Sequence, residues 1–174
     1  GRRAYGFDDI AIVPSRRTRD PEDVDITWEI DAFTFDMPLM ASAMDGVVSP
    51  ETAIRIGQLG GVAVLNLEGL WTRYEDPEPM LDEISELDTE KATLRVQEIY
   101  SSPVIPELIP ERIRQINEAG VTSCVSVTPQ RTQAYSKYIL ATELDLLVIQ
   151  GTVVTAEHVS KTVEPLNLKK FVRE

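Results

Sequence analysis

One cysteine and one histidine bound the side-chain chemistry of this 174-residue sequence. A lone thiol excludes an internal disulfide and a four-thiolate zinc site, and it suits a reducing cytosol. A lone imidazole excludes a His-rich metal centre. To act as a nucleophile, Cys124 would need a loop position and an activating base. It stands instead inside Ser123-Cys124-Val125, within the strand expected over 121–127, where a buried cysteine behaves as a small core residue. His158 has Glu157 beside it, nominally an acid/base pair. Adjacent helical residues point in different directions, so the pair reads as a solvated helix face. Carboxylates are the abundant group. Between residues 67 and 98 come Glu68, Glu75, Asp76, Glu78, Asp82, Glu83, Glu86, Asp88, Glu90 and Glu98, against Arg73, Lys91 and Arg95. Met80, Leu81, Ile84 and Leu87 recur there at helical spacing, as do Ala92, Val96 and Ile99. That pattern predicts two amphipathic helices with acidic outer faces.

The wider composition narrows the partners. With 17 Lys+Arg against 29 Asp+Glu the net charge is −12, which argues against a grip on nucleic-acid phosphates. No apolar run approaches the ~20 residues of a membrane helix, and GRRAYGFDD lacks a signal peptide's apolar stretch. The expectation is a soluble cytoplasmic protein with neither nucleic-acid nor membrane partners. At 43% apolar residues, a chain this long can bury roughly 70% of its unfolded surface without metal or disulfide staples.

The elements that must carry this chemistry alternate. Residues 38–42, 62–65, 121–127 and 144–149 read as strands, and runs without polar alternation suit strands covered on both faces. Ser49-Pro50 and Thr128-Pro129 read as helix starts, a capping residue followed by proline at the first helical position. Gly60 and Gly120 read as helix stops, with a helix after Pro110 between them. Thr155 can cap a short helix around His158, and a last helical turn spans 166–172. Four strands each followed by helix mean an α/β fold with a parallel sheet. Spacing alone leaves open a small doubly wound sheet or part of a (β/α)8 barrel.

Three stretches carry a resemblance that chooses between them. YGFDDIAIVPSRRT, MPLMASAMDGVVSPETAIRIGQLGGVAVLN, and INEAGVTSCVSVTPQ with ELDLLVIQGT resemble the inosine monophosphate dehydrogenase and guanosine monophosphate reductase family. VIQGTVVTAEHVSK looks most like its bacterial dehydrogenase-related subfamily without the inserted CBS pair, and residues 66–110 leave no room for that insert. The resemblance implies the N-terminal half of a (β/α)8 barrel: an N-terminal segment, 1–37, then strands one to four with their helices, 38–174. It further implies an NAD- or NADP-dependent oxidoreductase of purine nucleotide monophosphates. Oxidation of inosine monophosphate and reduction of guanosine monophosphate both stay open. A non-catalytic half-barrel that pairs with a complementary half is the alternative.

Site residues follow from the resemblance position by position. Met44 matches the methionine that packs on the purine, and Asp45 the next position, expected to bond loop N–H groups. Gly60 and Gly61 match as well, as a helix end and tight turn. The nucleotide-binding serine falls at Ala41, and alternation turns Ser42 the other way. The family's aspartate facing the nicotinamide falls at Gln150, followed by Gly151 and Thr152 as cofactor contacts. A neutral amide supplies no negative charge there. The catalytic cysteine loop and most phosphate contacts belong to later strands, so no catalytic residue is expected in this segment. The open inner face, with Val62, Val64 and Val148, predicts a homo-oligomer through exposed edges and apolar surface.

Overall fold

The computed structural model describes residues 3–14, 16–151 and 166–173. The segment expected only to precede the parallel strands contains an antiparallel hairpin, β1 (Trp28–Ile30) and β2 (Phe33–Phe35). Asp31 makes its turn at φ 52°, a left-handed conformation that a short polar side chain tolerates. The Trp28 and Phe35 rings lie 5.0 Å apart, and the Trp28 indole N–H donates to the Met37 carbonyl at 2.7 Å.

The remaining strands pair in parallel: β3 (Met40–Ala41) with β4 (Val62–Ala63), and β5 (Leu65–Asn66) with β6 (Cys124–Val127), which also pairs with β7 (Leu146–Ile149). Residues 62–66 are one extended segment broken at Val64. Its first half pairs with β3 and its second half with β6. Helices alternate with these strands, giving an α/β fold. Each strand is shorter than the apolar run that predicted it.

Local signals explain the helix limits. The Ser49 hydroxyl accepts the Thr52 N–H at 2.9 Å, so α1 (Pro50–Gln58) starts at its cap and proline. Gly60 follows at φ +86°, where a Cβ would fall 2.7 Å from that of Asp36. The acidic stretch forms α2 (Glu78–Ser85) and α3 (Thr89–Tyr100). Arg95 of α3 joins them by donating to Glu83 of α2 at 2.9 Å, and within α3 it also donates to Glu98 at 2.8 Å. Helix α4 (Leu108–Glu118) begins two residues before Pro110, not after it. A proline in the first turn displaces no helical hydrogen bond, because those N–H groups have no partner within the helix. Next come α5 (Pro129–Ile139) and the short α6 (Leu168–Phe171). Thr128 caps α5 by backbone only, without a side-chain bond into the helix. Thr155, Glu157 and His158 lie outside the described residues.

Strand alternation sorts the core into two clusters. Ala63, Leu65, Val125 and Val127 face the helices and pack with Ile109, Ile113, Ile116 and Ile139. On the opposite face Val62, Val64 and Cys124 pack with Phe35, flanked by Trp28, Ile30, Leu146 and Val148. The hairpin thus covers the amino-terminal part of that face. Val62 and Val64 are buried, so they do not supply the exposed apolar surface expected of them for association. Among the described residues, no helix is long and apolar enough to cross a membrane.

Candidate functional site

Beyond the hairpin the same strand face turns polar. Asn66 is in register with Ser126, and Ser126 with Val148. The Gln150 N–H donates to the Val127 carbonyl at 2.9 Å, which continues that ladder past β7. Asn66, Ser126 and Gln150 line a cleft of about 460 Å³, with Ala43, Glu68, Val127, Thr128 and Gly151 completing its wall. The cleft stands at the carboxyl ends of parallel strands, where barrel and open α/β folds alike place their ligands.

Glu68 is held from three directions. Its N–H donates to Asn66 Oδ1 at 3.0 Å, and its carbonyl accepts from Arg73 Nε at 3.3 Å and Nη2 at 3.0 Å. Its carboxylate accepts the Thr128 N–H at 2.6 Å and the Thr128 hydroxyl at 3.2 Å, across the cleft wall. Arg131 stays at 3.9 Å. Glu68 therefore leaves the acidic outer surface to which the charge run assigned it.

Met44 and Asp45 part company. Met44 is exposed at the loop after β3 and is absent from the cleft wall. Asp45 is buried, and its Oδ2 accepts the Leu70 N–H at 3.0 Å and the Tyr100 hydroxyl. A Cβ on Gly69 would lie 1.9 Å from Asp45 Oδ1, so the loop after β5 needs glycine there. Burial raises the Asp45 carboxyl above its ordinary range, against the opposing pull of Tyr100, Leu70 and Arg73. Burial likewise raises the Tyr100 hydroxyl, aided by its bond to Asp45. Asp45 thus ties the Met44 loop to the loop that carries Glu68.

The other expected positions separate by face. Gln150 and Gly151 line the cleft, and Thr152 lies outside the described residues. Ala41 packs against the helix-side cluster, so a side chain there points away from the cleft, while Ser42 is exposed past the strand end. Cys124 is fully buried at the opposite end of the strand face, its thiol pushed up to about 12 by burial and then by Asp145. No group of three metal-ligating side chains occurs among the described residues. Asn66, Glu68, Ser126 and Thr128 escaped the sequence reading. Counting forward by two from Val62 or Cys124 reaches Asn66, Ser126 and Thr128, but a run apolar on both faces does not say which parity faces the helices.

Residues 4–170 match the family described as IMP dehydrogenase / GMP reductase domain. The chain belongs to that family. It is 44% identical, over 99% of its length and 48% of the relative's, to an uncharacterized oxidoreductase of Mycolicibacterium smegmatis. An uncharacterized oxidoreductase of Mycobacterium tuberculosis is 46% identical over the same shares. The inosine-5'-monophosphate dehydrogenase of Methanocaldococcus jannaschii is 34% identical over 37% of this chain and 13% of its own. Among solved structures, an IMP dehydrogenase/GMP reductase-like protein from Corynebacterium glutamicum superposes with a TM-score of 0.87 at 42% identity, covering 99% of this chain and 46% of that one. The chain therefore spans about half the length of the relatives it matches over its whole extent.

Proposed function

We propose that residues 38–174 are the first four strand–helix units of a (β/α)8 barrel, preceded by residues 1–37 with their hairpin. The whole barrel would be a cytoplasmic, homo-oligomeric oxidoreductase of a purine nucleotide monophosphate with NAD or NADP. The observation that carries this reading is the cleft at the carboxyl ends of the parallel strands, with Asn66, Ser126, Thr128 and Gln150 on its wall. Two amides and two hydroxyls present both donors and acceptors, which fits the edge of a purine or a nicotinamide carboxamide. Neither Lys nor Arg is among the described wall residues, so this part of the cleft offers a phosphate group no cation. A bound nicotinamide cofactor supplies the hydride donor or acceptor. The residues of this chain would seat and orient one ring and exclude water beside it.

Cys124 does not fit the covalent role, being buried, protonated and remote from the cleft. The 174-residue chain alone is thus expected to turn over neither inosine monophosphate with NAD nor guanosine monophosphate with NADPH. Mixing it with the half-length segment that completes its relatives should restore one of those reactions, followed by NAD(P)H absorbance. Turnover by the isolated chain would overturn the division of labour. Absence of turnover with the completing half would leave a non-catalytic assembly module.

A further inference from the structure

Glu68 is the one charged residue on the described cleft wall, and the proposed function gives it no role. Its position is over-determined: Asn66 holds its N–H, Arg73 holds its carbonyl, and Thr128 holds both carboxylate oxygens. The carboxylate lies at the start of α5, an 11-residue helix whose amino end carries partial positive charge. Pro129 contributes no N–H there, and Glu68 takes both the N–H and the hydroxyl of Thr128. The side chain is 21% exposed and its nearest cation, Arg131 at 3.9 Å, is itself 61% exposed. The carboxylate therefore stays fixed on the cleft wall as a negative charge, offset only in part by the start of α5 and by Arg131.

We propose that Glu68 is the specificity-determining residue of the cleft, a built-in anion at the start of α5 that admits a neutral polar ring and turns a phosphate away. This rests on the nucleotide reading only for the identity of the ring. The ring enters against Asn66, Ser126 and Gln150, and the phosphate end of the same ligand points out of the cleft toward loops with cations to offer.

The test uses two small probes, nicotinamide and inorganic phosphate, titrated while the Thr128 and Gln150 amide resonances are followed. In the wild-type chain nicotinamide should shift both resonances, and phosphate neither. Glu68→Gln keeps the shape and removes the charge, and should tighten phosphate binding at Thr128 by about tenfold. Glu68→Ala, run beside it, removes the charge by a second route and should also gain phosphate binding. Glu68→Asp keeps the charge and should still refuse phosphate. Phosphate binding at Thr128 in the wild type, no gain in either neutral variant, or an equal gain in Glu68→Asp would overturn the proposal. Gain of phosphate without any response to nicotinamide would uphold the charge gate and count against the nicotinamide reading.

Discussion

At their amino ends, the parallel strands present Val62, Val64, Cys124 and Leu146 to Phe35, Trp28 and Ile30 of the hairpin. A few residues further along the same face they present Asn66, Ser126, Thr128 and Gln150 to an open cleft. One surface, formed by one set of strands, is thus a dry core at one end and a donor–acceptor wall at the other. Alternation makes this possible. The helix-side parity stays apolar throughout, from Ala63 and Leu65 to Val125 and Val127, and supplies stability along the whole strand. The opposite parity is then free to change character along its length. Stability at one end and chemistry at the other should respond to different mutations.

The largest effect is expected at the dry end. Phe35 is 4% exposed and seals the hairpin onto the strand face, so Phe35→Ala should cost about 3–5 kcal/mol. Urea unfolding would measure it. A loss below about 1 kcal/mol would mean that the face is not sealed by this residue and that the two ends are less distinct than drawn. Cys124 gives the next effect. Cys124→Ser places a hydroxyl where the residue is fully buried, at about 1–3 kcal/mol if no partner forms. With its thiol pushed up to about 12, on the order of one molecule in ten thousand is ionised at pH 8. Labelling by a thiol reagent should therefore be slow in the folded chain and fast in urea. Fast labelling in native buffer, slowed by nucleotide, would move Cys124 from the core to the site.

How much of this was legible follows the same axis. Val62-Ala63-Val64-Leu65 announced a strand covered on both faces, and Ser49-Pro50 and Gly60 announced where α1 starts and stops. Those signals are local and survive in the fold. Cys124, too, was readable as core because it stands inside a strand and not on a loop beside an activating base. The hairpin was not read, although Trp28, Ile30, Phe33 and Phe35 alternate with polar Glu29 and Thr34. Three-residue strands give too short a period, and Asp31-Ala32 lacks the Asn-Gly or Asp-Gly turn that marks a hairpin. Glu68 was lost in the acidic run because charge counting does not reveal which carboxylate turns inward. Its partners, Thr128 and Arg73, are set by tertiary packing and not by spacing.

Asp45 lies behind the cleft wall rather than at either end, and its effect should be confined to one pH window. Its native pKa is raised above the ordinary 3.8, so the folded chain binds this proton more tightly than the unfolded chain does. The stability this contributes is complete below about 3.8 and is lost as pH rises through the raised native value. Asp45→Asn removes the titration while keeping an oxygen to accept the Leu70 N–H. Melting temperatures across that window should fall for the wild type relative to the variant as pH increases. Parallel curves would show that Leu70, Tyr100 and Arg73 together compensate the burial fully.

The smallest stability effect belongs to the polar end, and it sharpens the comparison most. Gln150 is exposed, follows β7, and is held in the ladder by its backbone N–H rather than by its side chain. Gln150→Ala should therefore change the unfolding free energy by no more than about 0.5 kcal/mol. If its amide orients a ring in the cleft, the same variant should weaken nicotinamide binding, read from the Thr128 amide resonance, by about fivefold for one lost hydrogen bond. A residue that costs binding and no stability, on the same strand face as one that costs stability and no binding, is what separated ends require. Loss of stability on Gln150→Ala, or unchanged binding, would instead mean that the carboxyl end is structural too and that the ligand-facing wall is elsewhere.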